Sequence, residues 1–323
     1  MNQPDFPRLL GDVGGTNARL AWQDRPGAAP SRVSTYACAD HESLLSVIRS
    51  YLAQHQLSQP QGCAIGIANP ILGDQVRMTN HHWSFSISEM RRQIGVARLK
   101  VINDFTALAL SLPALAECDL RPIGRGQAVP GAAMAVLGPG TGLGVSGLIP
   151  AGHGSYLPIT GEGGHVTLAA SDDLDALVIQ HLTRRFGHCS AERVLSGPGL
   201  VNLYDALCAI AGRPHQSLEP SQVIDRARNE GDRQCSDALA LFCGFLGAVA
   251  GDLALTLGAH GGVYIGGGIA PRLLPELDRT AFRDRFESKG RFRDYLASIP
   301  TFVIDSLVSP ALIGASRALD IED

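Results

Sequence analysis

Two glycine-rich stretches of this 323-residue chain have the composition of a phosphate cradle. In Gly11-Asp12-Val13-Gly14-Gly15-Thr16 the missing side chains let backbone amides approach phosphate oxygens, and Asp12 offers a carboxylate that would hold a magnesium ion through water. Taken alone, the stretch also reads as a plain hairpin turn. The second, Gly138-Pro139-Gly140-Thr141-Gly142-Leu143-Gly144, sets glycine at alternate positions and adds the Thr141 hydroxyl as a donor to phosphate. Neither has the spacing of a dinucleotide fingerprint, and each runs from strand to strand instead of into a helix. Neither is a Walker A loop, since the chain's lysines are Lys100 and Lys289, both outside such a setting.

Other polar groups stand where apolar runs break. Asn103-Asp104 separates Val101-Ile102 from Phe105. The pair reads as a helix cap or, for Asp104, as an ionised proton acceptor, a role that phosphoryl transfer to a hydroxyl requires. Gly161-Glu162-Gly163-Gly164-His165 sets a carboxylate and an imidazole among glycines that leave room for close approach. Sugar hydroxyls suit an acceptor beside a donor, and a loop with a satisfied histidine is the plainer reading. His188 and Glu192, four apart, would share a helical face as metal ligands, but lack a third partner at a recognisable spacing. Gly266-Gly267-Gly268 follows a buried strand and suits either the approach of a flat ring such as adenine or a simple bend.

The elements that must position these groups follow from hydrophobic periodicity. Leu9 and Leu10 form a strand, then comes the turn over 11–16 and a strand over 18–22. A helix is expected over 40–56, buried strands over 63–68 and 99–102, and helices over 86–93 and 105–112, the last closed by Pro113. A strand over 134–137, the second glycine loop and a strand over 145–149 repeat the opening unit. Beyond that the chain reads as mostly helical, over 174–186, 191–195, 199–210, 221–229 and 238–257, with strands over 262–265 and 302–304 and a closing helix over 310–319 that returns to the first domain. The predicted domains are 1–113 plus 306–323, and 114–305.

Composition bounds the partners. At 45% hydrophobic and 18% charged the chain is globular, and a formal charge of −4 leaves no cation excess for nucleic acid. The basic run from Arg279 to Arg293 is interleaved with Asp284, Glu287 and Asp294 and reads as a solvated amphipathic helix. Seven cysteines without a CxxC pair suggest reduced thiols in the cytoplasm. The segment from Met1 to Arg8 does not read as a secretory signal. The apolar stretch 238–258 carries Asp252 and several glycines, so a buried helix is expected and no membrane partner.

Leu10 to Leu20, Met78-Thr79-Asn80-His81, Ile102 to Ala107, Gly138 to Val145, Gly161 to Val166, Ala191 to Tyr204 and Gly261 to Arg272 together resemble the bacterial glucokinase family of the proteobacterial type. The resemblance runs from about residue 9 to about residue 315. It implies a two-domain α/β actin-like ATPase (ribonuclease H-like) fold, a smaller and a larger domain around a cleft. It also implies ATP-dependent phosphorylation of glucose at the 6-hydroxyl, dependence on Mg2+, and a homodimer. Carried over residue by residue, Asp104 matches the catalytic aspartate, and Asn103, Asp104, Glu162, His165 and Glu192 match sugar-binding positions. Gly11 to Thr16 match the ATP loop, Gly138, Gly140, Thr141 and Gly142 the second phosphate loop, and Gly266 to Gly268 the nucleoside side. Pro139, which removes one amide donor, and Asn69 depart from the pattern. Kinases of the repressor, open-reading-frame and kinase family resemble the GEGGH-type loop but carry a cysteine cluster after it, whereas 166–173 holds no cysteine. A DNA-binding regulator lacks room for a helix-turn-helix before Gly11, and a glycosidase built on Glu162 and Glu192 would leave both glycine loops unexplained.

Overall fold

The computed structural model describes residues 5–79, 81–279 and 281–321, so Asn80 of the Met78–His81 stretch and residues 1–4 of the amino-terminal segment lie outside the described residues. The chain divides into two compact units: Met1–Ala116 with Tyr156–Thr160 and Ser306–Asp323, and Glu117–Ser155 with Gly161–Asp305.

The first unit opens with β1 (Arg8–Val13), β2 (Asn17–Gln23) and β3 (Ser31–Ala37), then α1 (Leu44–Gln54) and β4 (Gly62–Ile67). A small hairpin of β5 (Gln75–Arg77) and β6 (Ser84–Ser86) leads into α2 (Ile87–Ile94), β7 (Arg98–Asn103) and α3 (Asp104–Ser111). The sheet order is β3-β2-β1-β4-β7, with β1, β4 and β7 parallel and β2 and β3 antiparallel. Successive β1 residues point to opposite faces: Leu9 joins Ile48, Tyr51 and Ile65 on one, while Leu10 joins Leu312, Ala315 and Leu319 on the other. Burial of both faces explains why β4 reads as a continuous apolar run.

The next elements are β8 (Leu120–Ile123), β9 (Met134–Pro139), β10 (Leu143–Gly152) and β11 (Ser155–Ile159). Then come α4 (Asp173–Phe186), α5 (Gly197–Ile210), α6 (Pro220–Asp225) and α7 (Arg233–Leu257). After β12 (Val263–Ile265), α8 (Leu274–Arg279), α9 (Phe282–Glu287), α10 (Arg293–Ala297) and β13 (Thr301–Ile304), the chain ends in α11 (Pro310–Ala318). In the second unit β10-β9-β12-β13-β8 are neighbours in that order, β9, β12 and β13 parallel. The expected duplication is therefore real: each unit has an antiparallel hairpin whose first strand pairs in parallel with a later one. α7 is long and apolar enough to cross a membrane, but 72% of its apolar window is buried, around Phe242, Phe245 and Leu246 in the core of its own unit.

Several expectations are corrected. Gly11, Asp12 and Val13 belong to β1, so the first turn proper is Gly14 to Thr16; likewise the second turn is Gly140 to Gly142. α1 begins at Leu44 because Ser43 caps it, accepting from the Ser46 N–H, and residues 38–40 form a separate short turn. Residues 191–195 give only a short 3-10 turn, Ala191–Arg193. The basic run is no single solvated helix. It breaks into α9, a turn at Gly290–Phe292 and α10, and several of its cations have fixed partners. Arg283 donates to the carbonyls of Ile299, Leu296 and Ala297, Arg285 pairs with Asp172 and the buried Asp175, and Lys289 pairs with Asp252 at 2.6 Å. The architecture is that of the two-domain actin-like ATPase fold.

Candidate active site

In the first unit, the expected residues gather at the carboxyl ends of the parallel strands, where open α/β sheets bind ligands. Val13 of β1 pairs in register with Ile67 of β4, and Ile67 with Asn103 of β7, so Asp12, Asn69 and Asp104 follow or flank one row. Asn103 is the N-cap of α3: its Oδ1 accepts from the N–H of Phe105 at 2.9 Å and of Thr106 at 3.2 Å. Asp104 is thus the first helical residue and not the cap. It is half-buried, and its Oδ1 accepts from the Phe105 N–H at 2.9 Å. Gly66 faces the same corner, where an added Cβ would stand 3.0 Å from the Ala107 Cβ, so β4 and α3 approach closely.

Asp12 projects from the end of β1. Its Oδ2 accepts from the Ser309 hydroxyl at 2.7 Å and from Arg19 Nη1 at 3.3 Å. A single carboxylate oriented through one oxygen fits a hydrated magnesium ion, which takes one or two carboxylates and keeps several waters. Gly14, Gly15 and Thr16 make the turn, closed by the Gly14 N–H bonded to the Asn17 carbonyl at 2.9 Å. Sequence reasoning missed Ser309 and Arg19, whose relevance lies in this contact. It also missed the work of Asn69, whose Oδ1 accepts from both the N–H and the hydroxyl of Thr79, at 3.0 and 2.8 Å.

The second unit brings together Gly138 to Gly144, Glu162, His165, Glu192 and Gly266 to Gly268. At the end of β12, the Gly266 N–H bonds the Leu137 carbonyl at 2.8 Å. Gly267 has φ +80, and an added Cβ would stand 2.5 Å from the Pro139 carbonyl, so backbone conformation and space both require glycine. The β9–β10 turn is tied internally, Gly140 N–H to Gly142 O at 2.8 Å, and to the start of α5, Gly197 N–H to Gly140 O at 2.8 Å. The sugar-type loop lies against β10: a Cβ on Gly164 would stand 2.1 Å from the Leu143 carbonyl and one on Gly163 2.8 Å from Val145. His165 and Glu192 then meet, Nδ1 to Oε1 at 3.9 Å, while Glu192 Oε2 accepts from the Leu143 N–H at 2.9 Å. Glu162 is exposed at the head of the same turn.

His188 and Glu192 share no helix. α4 ends at Phe186, and His188 sits in the following loop with Nε2 3.0 Å from the Thr167 hydroxyl. Among the described residues no group of three or more histidine, cysteine or acidic side chains could hold a metal.

The glucokinase family model matches residues 9–321. A glucokinase of Aromatoleum aromaticum is 56% identical over 316 residues, covering 98% of this chain and 95% of the relative. One of Chromobacterium violaceum is 48% identical over 314 residues, covering 97% of this chain and 89% of the relative. Among solved structures, a glucokinase from an Antarctic psychrotroph superposes with a TM-score of 0.90 at 38% identity, over 98% of this chain and 99% of the other. This chain belongs to the glucokinase family.

Proposed function

We propose that this protein transfers the γ-phosphoryl group of ATP to the 6-hydroxyl of D-glucose, giving ADP and glucose 6-phosphate, with Asp104 as the proton acceptor. One observation carries the reading. In the second unit the carboxylate and imidazole suited to sugar hydroxyls adjoin the glycine turn suited to phosphate, joined by the bond from the Leu143 N–H to Glu192. Phosphoryl transfer depends mainly on holding donor and acceptor together and on neutralising charge, and that adjacency is its minimal geometry.

In this reading Asn103, Glu162, His165 and Glu192 bind the hexose hydroxyls. The 6-oxygen attacks the γ-phosphorus, the bond to the bridging oxygen breaks with its electron pair leaving on ADP, and the hydroxyl proton passes to the Asp104 carboxylate. The turns at Gly14 to Thr16 and Gly140 to Gly142 present backbone N–H groups and the Thr141 hydroxyl to the phosphates, and Gly266 to Gly268 lie on the nucleoside side. Asp12 would hold magnesium through water, and the ion would supply neutralisation of phosphate charge. The two domains are 1–113 plus 306–323, and 114–305, except that residues 114–116 and 156–160 cluster with the first unit. The enzyme works as a homodimer in the cytoplasm, a setting that suits seven cysteines without a CxxC pair.

A coupled assay tests the reading. With ATP and magnesium, the purified chain is offered glucose, fructose, mannose and N-acetylated hexoses, and glucose is expected to give the highest kcat/KM. Preference for an amino sugar would replace the substrate assignment, and inactivity on every hexose would remove the kinase reading.

A further inference from the structure

Gly142 is expected at a phosphate turn for its open backbone, yet its φ lies outside the left-handed region, so its conformation does not require glycine. What a side chain there would displace is the Glu192 carboxylate: an added Cβ would stand 2.4 Å from Oε2 and 3.2 Å from Cδ. The same Oε2 accepts from the next residue's N–H, Leu143, at 2.9 Å. Behind the carboxylate, the Glu192 backbone is pinned by the Ser196 hydroxyl donating to its carbonyl at 2.8 Å. The Asn202 amide holds the adjoining Arg193 carbonyl at 2.9 Å. The main chain of Glu192 is therefore fixed, and only its side chain can yield to a methyl group at 142.

We infer that Gly142 and the Leu143 N–H are positioning elements for the sugar-binding carboxylate, so that the glycine turn sets hexose affinity as well as phosphate contact. The inference rests on the proposed function, which makes Glu192 a sugar ligand. In consequence the Leu143 N–H is committed to Glu192, and the Gly140 N–H to the turn's own carbonyl, which leaves phosphate recognition to the tip of the turn. A methyl group at 142 breaks the Leu143 bond and swings Oε1 away from its place 3.9 Å from His165. A substitution in the apparent nucleotide loop then reads out in sugar binding.

Calorimetric titration of the full chain tests this with glucose alone, and separately with a non-hydrolysable ATP analogue and magnesium alone. Gly142→Ala is expected to raise the glucose Kd about tenfold or more while the analogue's Kd moves less than about threefold. An unchanged glucose Kd, or a larger loss for the nucleotide than for the sugar, overturns the inference. A second comparison separates action through Glu192 from general damage, and serves also where Gly142→Ala does not fold. In a Glu192→Asp background the shortened side chain withdraws from residue 142, so adding Gly142→Ala should change the glucose Kd by less than about threefold. A further tenfold loss there overturns it. If the wild-type chain itself binds no glucose, the proposed function fails and the inference with it. If it binds glucose and Gly142→Ala binds equally well, the inference alone fails.

Discussion

At the junction of β7 and α3 two adjacent polar residues divide two tasks that their sequence leaves merged. Asn103 accepts the N–H groups of Phe105 and Thr106 and is the cap, so the helix does not need Asp104 for its entry. The two variants should therefore separate. Asn103→Ala loses the cap and is expected to cost about 1 kcal/mol of stability by urea denaturation. Asp104→Ala leaves the cap in place and should reduce kcat by about a hundredfold or more with glucose affinity largely kept. Near-normal turnover in Asp104→Ala would remove it as the proton acceptor; a loss of activity that merely tracked stability would return it to a structural role. The dipeptide's chemistry was legible in the sequence, but the choice of cap was not, because either side chain satisfies the same rule and only the register of β7 decides.

At the scale of elements, the tightest fit in the first unit is between α11 and the helix that begins at Asp104. An added Cβ on Gly314 would stand 1.6 Å from the Ala107 carbonyl oxygen and 2.5 Å from its carbon, both backbone atoms that cannot rotate away. Helix propensity alone would favour alanine at a helical glycine by about 1 kcal/mol. Here overpacking opposes it and, against a rigid backbone, costs about 1–3 kcal/mol or more. Gly314→Ala is therefore expected to lower the urea midpoint and kcat together, since separating the helices moves Asp104; a stability gain would show that the two helices yield without cost. The closing helix itself, α7 and both hairpin units are legible because their apolar patterns are long. β3 and β8 escape the same reading. β3, Ser31–Ala37, is an edge strand with alternating half-exposed polar residues, and β8 is four residues long and contains Pro122. Both turns are shorter than their glycine stretches because glycines 11, 138 and 144 mark backbone packed inside strands, which composition cannot tell from a turn. The Glu192–Leu143 contact joins positions 49 apart and leaves no local signal at all.

The whole molecule carries its thiols almost entirely inside. Cys38 and Cys63 belong to the core of the first unit and Cys189, Cys208, Cys235 and Cys243 to that of the second, while Cys118 is exposed. Burial pushes Cys63 up to about 12, Cys189 to about 11 and Cys235 to about 12, and raises Cys38 and Cys208 as well. Since the thiolate is the reactive form, a buried thiol with a raised pKa is protected twice, by exclusion of the reagent and by protonation. Titrating the native protein with a chromogenic disulfide at pH 8 should therefore release one fast equivalent, from Cys118. The other six should follow only as slowly as the two cores open. Cys118→Ser should abolish the fast phase and leave the slow one unchanged. Two or more fast equivalents would mean that at least one core is loosely closed, and residual fast reaction in Cys118→Ser would identify a second open thiol. The measurement also fixes the conditions for the binding titrations, because a variant such as Gly142→Ala that kept the one-fast, six-slow pattern would have both cores intact. Its altered sugar affinity could then be assigned to Glu192 and not to unfolding.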